Sequence, residues 1–492
     1  MSYDSIFRPN RRRFLKGAAS LAGGAVLAGS GRAFTTLAAF AQDPPAGCPT
    51  PPSGGTHFVP GNDTRPIILR KSISAFSPAE LTQLQNAYAA LRALPASDKR
   101  TWILQADMHA LFCDSCNNSP FDIHGSWSFF PWHRGYLYYY ERILGSLAGD
   151  MDHFRLPYWD WENIRTLPTP YQTPGSSSNS LWDNKRRPGL AGGGNLPSSD
   201  GTAARITTLY GLTDFASFGG DAFSGGSLES DPHGTIHVDV GQFGGAQLDM
   251  GNLGYAARDP LFFAHHCNID KLWSGWNDLA SGSGTHYKNP TDPAFLNLRW
   301  SFYDENQQVV SISAADMLNH STNLLYTYKS LIILVPPIWL LLECELICCL
   351  PGPDPGPWLK VSEQVRETVI QSARANSPVV LVLHGVSLPP GVSGNFDVFA
   401  TRGERRIHVG SVGIIAHGLE QKEQHSKSHK PITLTLDITQ AAPELFLRDK
   451  PATLHVFRRI DEQRPGFVAK GQKLEEVFQL KAEKAEIRVA KR

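Results

Sequence analysis

The sequence predicts a mainly α N-terminal domain, a helix bundle built around a metal site, joined to a C-terminal β-sandwich. Three observations carry this. Phe130-Pro131-Trp132-His133-Arg134 and Asp259-Pro260-Leu261-Phe262-Phe263-Ala264-His265-His266 each place proline at a helix entrance and deliver histidine from an aromatic surround. His233 and His237 are separated by one helical turn. Beyond Pro357-Trp358 the pattern changes to short alternating strands.

Taken in order, residues 1–41 read as a targeting segment. Asn10-Arg11-Arg12-Arg13-Phe14-Leu15-Lys16 resembles a twin-arginine export signal, followed by a Gly/Ala-rich apolar run and an Ala39-Phe40-Ala41 cleavage-like site. The implied location is periplasmic or secreted. Residues 43–62, rich in proline and glycine, form an extended lead-in. Ser77-Pro78-Ala79-Glu80 has capping-box spacing and opens an amphipathic helix with Leu81, Leu84, Tyr88 and Leu91 on one face. A second helix runs from about Lys99 to Phe112 and carries His109.

Pro131, with its fixed φ and missing N–H, suits the first helical position, so His133 is expected in the opening turn. The stretch from Pro168 to Gly226, dominated by Gly, Ser, Pro and Asn, reads as a long surface loop with little regular structure. Asp231-Pro232 looks like a cap and helix start, and Asp259-Pro260 opens a helix carrying His266 about two turns inside. The catalytic region is assigned to 42–330. Leu331 to Leu350 is strongly apolar but is interrupted by Pro336, Pro337, Glu343 and Glu345, so 331–358 is assigned as a buried or lid-like insertion and linker rather than a membrane span. Residues 359–492 make the sandwich, with strands at 379–383, 396–400, 407–414, 432–436 and 453–456.

The 492 residues carry 46 basic and 46 acidic side chains, so no basic footprint points to nucleic acid or an anionic membrane surface, and membrane contact is not expected. A small-molecule partner fits better. Six of the 17 histidines form two sets: His109, His124 and His133, then His233, His237 and His266. His124 and His133 would lie on opposite sides of one continuous helix, but Pro131 breaks that continuity and lets both converge. For any one histidine a core or capping role is the better account; for six so arranged it is not. All-imidazole triads suit copper, iron or zinc, and the lack of carboxylates argues against magnesium, calcium or manganese. His233-Gly234-Thr235-Ile236-His237 lacks the glutamate of the zinc-protease motif. A dinuclear zinc hydrolase would also require a bridging carboxylate that neither triad offers.

Several motifs together resemble the type-3 copper proteins, in particular the plant-like polyphenol oxidases, tyrosinases and catechol oxidases. They are His109-Ala110-Leu111-Phe112-Cys113, His124-Gly125-Ser126-Trp127, Phe130 to Arg134, Tyr138-Tyr139-Tyr140-Glu141-Arg142, Pro157-Tyr158-Trp159-Asp160-Trp161, Pro232 to His237 and Asp259 to His266. Phe302-Tyr303-Asp304-Glu305 and Asn395-Phe396-Asp397-Val398 echo the two accessory motifs of that family. With the export segment, the resemblance implies a bacterial member of plant-like type.

The resemblance implies a four-helix bundle holding two copper ions, CuA through His109, His124 and His133 and CuB through His233, His237 and His266, with His265 behind the site. It implies oxidation of o-diphenols to o-quinones with O2, and hydroxylation of monophenols as in tyrosinases; the alternative sharing the same ligands is haemocyanin-like reversible O2 binding. Cys113 stands where relatives form a thioether to the second CuA histidine, here His124. A CxxC pair with Cys116 is the competing account. Ala110 replaces a cysteine that relatives carry, and Cys116 would take its disulfide role with Cys48. Glu229 matches an acidic residue that orients water near CuB. Leu253 falls where relatives place a bulky phenylalanine over CuA, which favours substrate entry. Gly234 stands where asparagine accompanies strong monophenol hydroxylation. These two positions point in opposite directions, so tyrosinase and catechol oxidase both stand. The C-terminal sandwich is expected to shield the site in a latent form.

Overall fold

The helices that carry the histidines are fixed by short-range signals before any packing is considered. The computed structural model describes residues 47–116, 122–172, 179–243, 246–283, 287–329, 339–347, 356–417, 429–459 and 476–491; the targeting segment lies outside them. Helix α1 (Pro78–Arg92) starts at the expected capping box: Ser77 accepts from the Glu80 N–H, and the Glu80 carboxylate accepts from the Ser77 N–H. It buries Leu84, Ala87, Tyr88 and Leu91. Helix α2 (Trp102–Phe112) is capped by Thr101 and is buried from Gln105 onward.

Helix α3 (Phe129–Leu147) begins two residues earlier than Pro131. The first-turn N–H groups of a helix have no intrahelical partner, so proline fits anywhere in that turn, and His133 consequently sits two residues deeper than expected. Helix α4 (Gly234–Gly241) follows a turn in which Asp231 is extended, with φ −159°. Helix α5 (Pro260–Ser283) starts where expected, the Asp259 carboxylate accepting from the Leu261 N–H at 2.7 Å.

Helices α3 and α5 and two short strands are tied together by one buried carboxylate. Asp270 accepts from Arg134 Nε at 2.6 Å, Tyr326 Oη at 2.6 Å, Tyr328 Oη at 2.7 Å and Arg70 Nη1 at 3.3 Å. Strand Ile68–Arg70 pairs in parallel with Tyr326–Tyr328, so the two ends of the catalytic region meet at this anchor. The stretch 168–226 is not the open loop expected from its composition. It contains short helices at Pro188–Ala191, Ala203–Tyr210 and Phe215–Gly219, held down by buried Leu190, Leu209, Tyr210, Phe215 and Phe218.

Among the described residues the C-terminal region forms two antiparallel sheets. Strands β1 (Trp339–Ile347), β2 (Trp358–Lys360), β3 (Val379–Val386), β4 (Gly394–Arg402), β5 (Arg405–Ile414), β6 (Ile432–Asp437), β7 (Thr453–Arg458), β8 (Glu476–Phe478) and β9 (Lys484–Ala490) are arranged β6-β3-β9-β1-β2 and β5-β4-β7-β8. The described part of the apolar stretch is a strand of the sandwich. Strand β1 pairs with β9 from Trp339↔Ala490 to Cys344↔Ala485, so the sandwich begins before 359. Leu342, Cys344 and Leu346 pack on the sandwich core, whereas Leu341, Glu343 and Glu345 face solvent. No helix among the described residues is long and apolar enough to cross a membrane.

The sandwich sits on the histidine-bearing face of the bundle. Arg459 Nη2 donates to Asp200 at 2.9 Å and to Asp397 at 2.7 Å, both buried, and Asn395 Nδ2 donates to Asp239 Oδ1 at 2.8 Å on α4. At Gly234 and Gly413 the two regions touch backbone to backbone. A Cβ on Gly413 would lie 2.1 Å from the Gly234 carbonyl carbon, so only glycine fits on either side.

Candidate metal centre

The six expected histidines come together as two buried triads. In the first, the ring nitrogens of His109, His124 and His133 lie within 4.8 Å of one another; the second brings together His233, His237, His265 and His266 on the same criterion. The sets face each other. The rings of His133 and His266 stack at 4.2 Å with 5° between planes, and His124 and His233 are 6.0 Å apart. Phe129 and Phe262 fill the wedge between the triads, Phe129 at 4.7 Å from His133 and from His233, Phe262 at 4.7 Å from His109 and 4.2 Å from His266.

Four of the rings are locked by backbone carbonyls. The Nδ1–H of His133 donates to Phe129 O at 2.8 Å, and that of His233 to Glu229 O at 3.1 Å, in each case one turn back along the chain. His109 Nδ1–H donates to Leu253 O at 2.9 Å and His237 Nδ1–H to Met250 O at 2.8 Å. A carbonyl only accepts, so the proton is on Nδ1 and each Nε2 presents a lone pair inward. Burial drives all six groups toward neutrality, reinforced in most by the neighbouring imidazoles: His133 falls to about 3, His237 to about 4, and His109, His124, His233 and His266 well below the usual range. Nε2 of His124, His133 and His233 is buried with no hydrogen-bond partner. Neutral imidazoles with orphaned, converging lone pairs fit a pair of imidazole-loving ions such as copper.

The second cluster holds one histidine more than the expected triad. Trp161 Nε1–H donates to His265 Nδ1 at 3.2 Å. An indole can only donate, so His265 keeps its proton on Nε2 and offers no inward lone pair. His266, whose Nε2 lies 3.2 Å from Nε2 of His237, completes the triad.

The other expected residues surround one cavity. Asp122, His124, Glu229, His233, Gly234 and Leu253 line it from the bundle, and Ile414, Ile415, His417 and Lys430 from the sandwich. Glu229 Oε1 accepts from the Gly125 N–H at 2.8 Å, while Oε2 is buried without a partner. Burial pushes its carboxyl up to about 8. Gly234 lies under Gly413. Leu253 is buried, and its carbonyl holds His109.

Cys113 is an unbonded, buried thiol. Its Sγ lies 3.2 Å from His109 Nε2, one helical turn back. Cys48 and Cys116 form a disulfide, the pairing the resemblance implied, with Cα atoms 5.6 Å apart. Sequence reasoning missed the role of the sandwich residues. Lys430 reaches into the mouth, Nζ 2.9 Å from Asp122 Oδ2 and 3.1 Å from the His124 carbonyl. A lone lysine beside a loop carries no signal of that contact.

Comparisons agree with this geometry. The common central domain of tyrosinase matches residues 99–195 and 183–279, and the polyphenol oxidase middle domain matches 289–340. The latent form of polyphenol oxidase from Prunus armeniaca is 35% identical over 297 residues, 54% of this chain and 49% of that one, so the chain spans about half the length of the curated relatives it matches. The crystal structure of the Grenache polyphenol oxidase from Vitis vinifera is 30% identical, with a TM-score of 0.51, covering 58% of this chain and 92% of that one. The latent apple tyrosinase shares the fold, sandwich included, with a TM-score of 0.60 and 23% identity over 88% of this chain and 98% of that one. The chain belongs to the tyrosinase and polyphenol oxidase family.

Proposed function

We propose that this chain is a copper-dependent phenol oxidase that converts o-diphenols to o-quinones with O2, two diphenols and one O2 giving two quinones and two waters, and that it also hydroxylates monophenols. One observation carries the reading: two facing triads of buried, neutral imidazoles whose free nitrogens converge across a gap walled by Phe129 and Phe262. His109, His124 and His133 would hold CuA and His233, His237 and His266 CuB. A copper pair bound there supplies two one-electron centres that together match the two-electron oxidation of a diphenol.

The chain's own side chains do the rest. Carbonyls of Phe129, Glu229, Met250 and Leu253 fix four rings in the ligating tautomer. Phe129 and Phe262 keep water from the gap. Glu229 lines the cavity beside His233 with its Oε2 unpartnered, and in its ionised form, populated as pH rises toward and past about 8, it is placed to accept the proton of an incoming phenol. Gly234 adds no side chain to the floor, and Leu253 gives a smaller wall than phenylalanine would. A Cys113–His124 thioether would further restrict the His124 ring, which no carbonyl locks. The sandwich over the cavity fits a latent enzyme, and the Cys48–Cys116 disulfide fits an exported protein in an oxidising compartment.

The test is O2 uptake by copper-loaded protein with a monophenol and with an o-diphenol, before and after limited proteolysis of the sandwich. Sustained uptake with both is the expected result. Stoichiometric O2 binding without turnover in either form would favour the haemocyanin-like reading, and activity unchanged by removing residues beyond 330 would dismiss latency.

A further inference from the structure

Residues 249–253 lie between the metal centre and the sandwich and touch both. On the inner side, Met250 O accepts from His237 and Leu253 O from His109, so this one short segment orients a ring of each triad. On the outer side its hydrogen bonds go to the C-terminal region: the Leu253 N–H donates to Ala416 O at 2.9 Å, and the Ala416 N–H donates to Gly251 O at 3.2 Å. Asn252 and Ala416 thereby form a parallel β-bridge just beyond strand β5. The segment has no room to move on its own. Gly251 lies against the backbone of Gly241 at the end of the His237 helix, where a Cβ on Gly241 would fall 1.8 Å from the Gly251 nitrogen. Met250, Asn252 and Leu253 are all buried.

We propose that 249–253 is a strap through which docking of the C-terminal sandwich sets how tightly both triads hold their metal. The sandwich is then part of the ligand-orienting shell as well as a cover. The physical reason is that a ligating imidazole depends on the acceptor of its other N–H for tautomer and orientation, and here two such acceptors sit on a segment whose outer hydrogen bonds are supplied by Ala416. Releasing Ala416 removes the strap's outer restraint, one that His109 and His237 share. The inference rests on reading the six histidines as copper ligands.

Two measurements test it on the full-length chain. The first is hydrogen exchange of the copper-loaded and metal-free protein. Coupling is reciprocal, so copper loading is expected to slow exchange in peptides covering 249–253 and 414–417 together; unchanged exchange in these peptides on loading overturns the strap. The second is release of copper from Ala416→Pro, which lacks the N–H donated to Gly251. Its release into excess chelator, at a rate independent of chelator concentration, is expected to be about tenfold faster than from the parent chain, the scale on which ligand-orienting partners act. A parent rate of release overturns the proposal. If the variant fails to fold, the exchange experiment on the parent chain decides. A parent chain that binds no copper overturns the metal reading itself, an outcome separate from binding two ions with no change in exchange.

Discussion

Gly413→Ala isolates the contact by which the sandwich closes over the cavity. The added Cβ would lie 2.1 Å from the Gly234 carbonyl carbon, 2.2 Å from the Thr235 nitrogen and 2.4 Å from the Gly234 oxygen. All three are backbone atoms of the helix that carries His237, so no side-chain rotation can make room. Alanine suits an extended strand, so the penalty falls on docking and not on the conformation of β5. Restoring ordinary contact moves β5 outward by more than an ångström. Overpacking of this kind costs about 1–3 kcal/mol, which converts to a roughly 5- to 150-fold shift in the docked-to-open equilibrium. The assay is initial O2 uptake with an o-diphenol by copper-loaded full-length protein, normalised to the same preparation after proteolytic removal of the sandwich. The variant's intact-to-cleaved ratio is expected to rise by that factor, up to a ceiling of one. A ratio equal to that of the parent chain, in a variant that binds two coppers and unfolds at the parent temperature, would refute the argument that this glycine pair seats the lid.

Three further outcomes follow from the same geometry. His266→Ala is expected to bind one copper per chain, and His265→Ala two, because Trp161 occupies the Nδ1 lone pair of His265; elemental analysis of the dialysed proteins separates them, and the reverse assignment would follow from the opposite counts. Cys48→Ser opens the disulfide-closed loop of sequence separation 68 and should lower stability by about 4 kcal/mol in the chain-entropy account, read from denaturant midpoints with and without reductant; coincident midpoints would contradict it. Asp270 is buried, which alone raises its pKa, but Arg134 and Arg70 outweigh this and bring it down to about 2. A depressed carboxyl stabilises above its unfolded value, near 4, and that contribution is lost as pH falls from there toward 2. Asp270→Asn is therefore expected to flatten the acid limb of the stability–pH curve, and a curve parallel to that of the parent chain would remove Asp270 from the account.

The residues that build the metal centre were legible because each stands beside a local signal. Pro260 marks a helix start, His233 and His237 share a helix face, and Pro131 interrupts the chain between His124 and His133. What failed were readings that took composition for structure. The stretch 168–226 is poor in apolar residues, yet Leu190, Leu209, Tyr210, Phe215 and Phe218 are placed so that a few side chains anchor several short helices. In the run around Trp339 to Ile347 high hydropathy masks the alternation Leu342, Glu343, Cys344, Glu345, Leu346, which carries a strand period.

The backbone contacts between sandwich and bundle had no signal to read. They join residues far apart in sequence, through backbone groups that every residue possesses, as with Ala416 on Leu253, or through the absence of a side chain, as with Gly413 on Gly234. Such pairings are specified by how two finished surfaces fit. This also bears on how Gly234 is to be understood. Read within its motif, it is a position next to a metal-binding histidine where a side chain is missing from the substrate floor. In the folded chain a side chain there would strike the carbonyl of Gly413 at 2.3 Å. Substituting Gly234→Asn to add a polar group beside His233 would therefore displace the lid in the same step. A gain in monophenol hydroxylation measured on the intact chain would mix two effects. Only in a form from which the sandwich has been removed does the substitution report on the floor of the cavity alone.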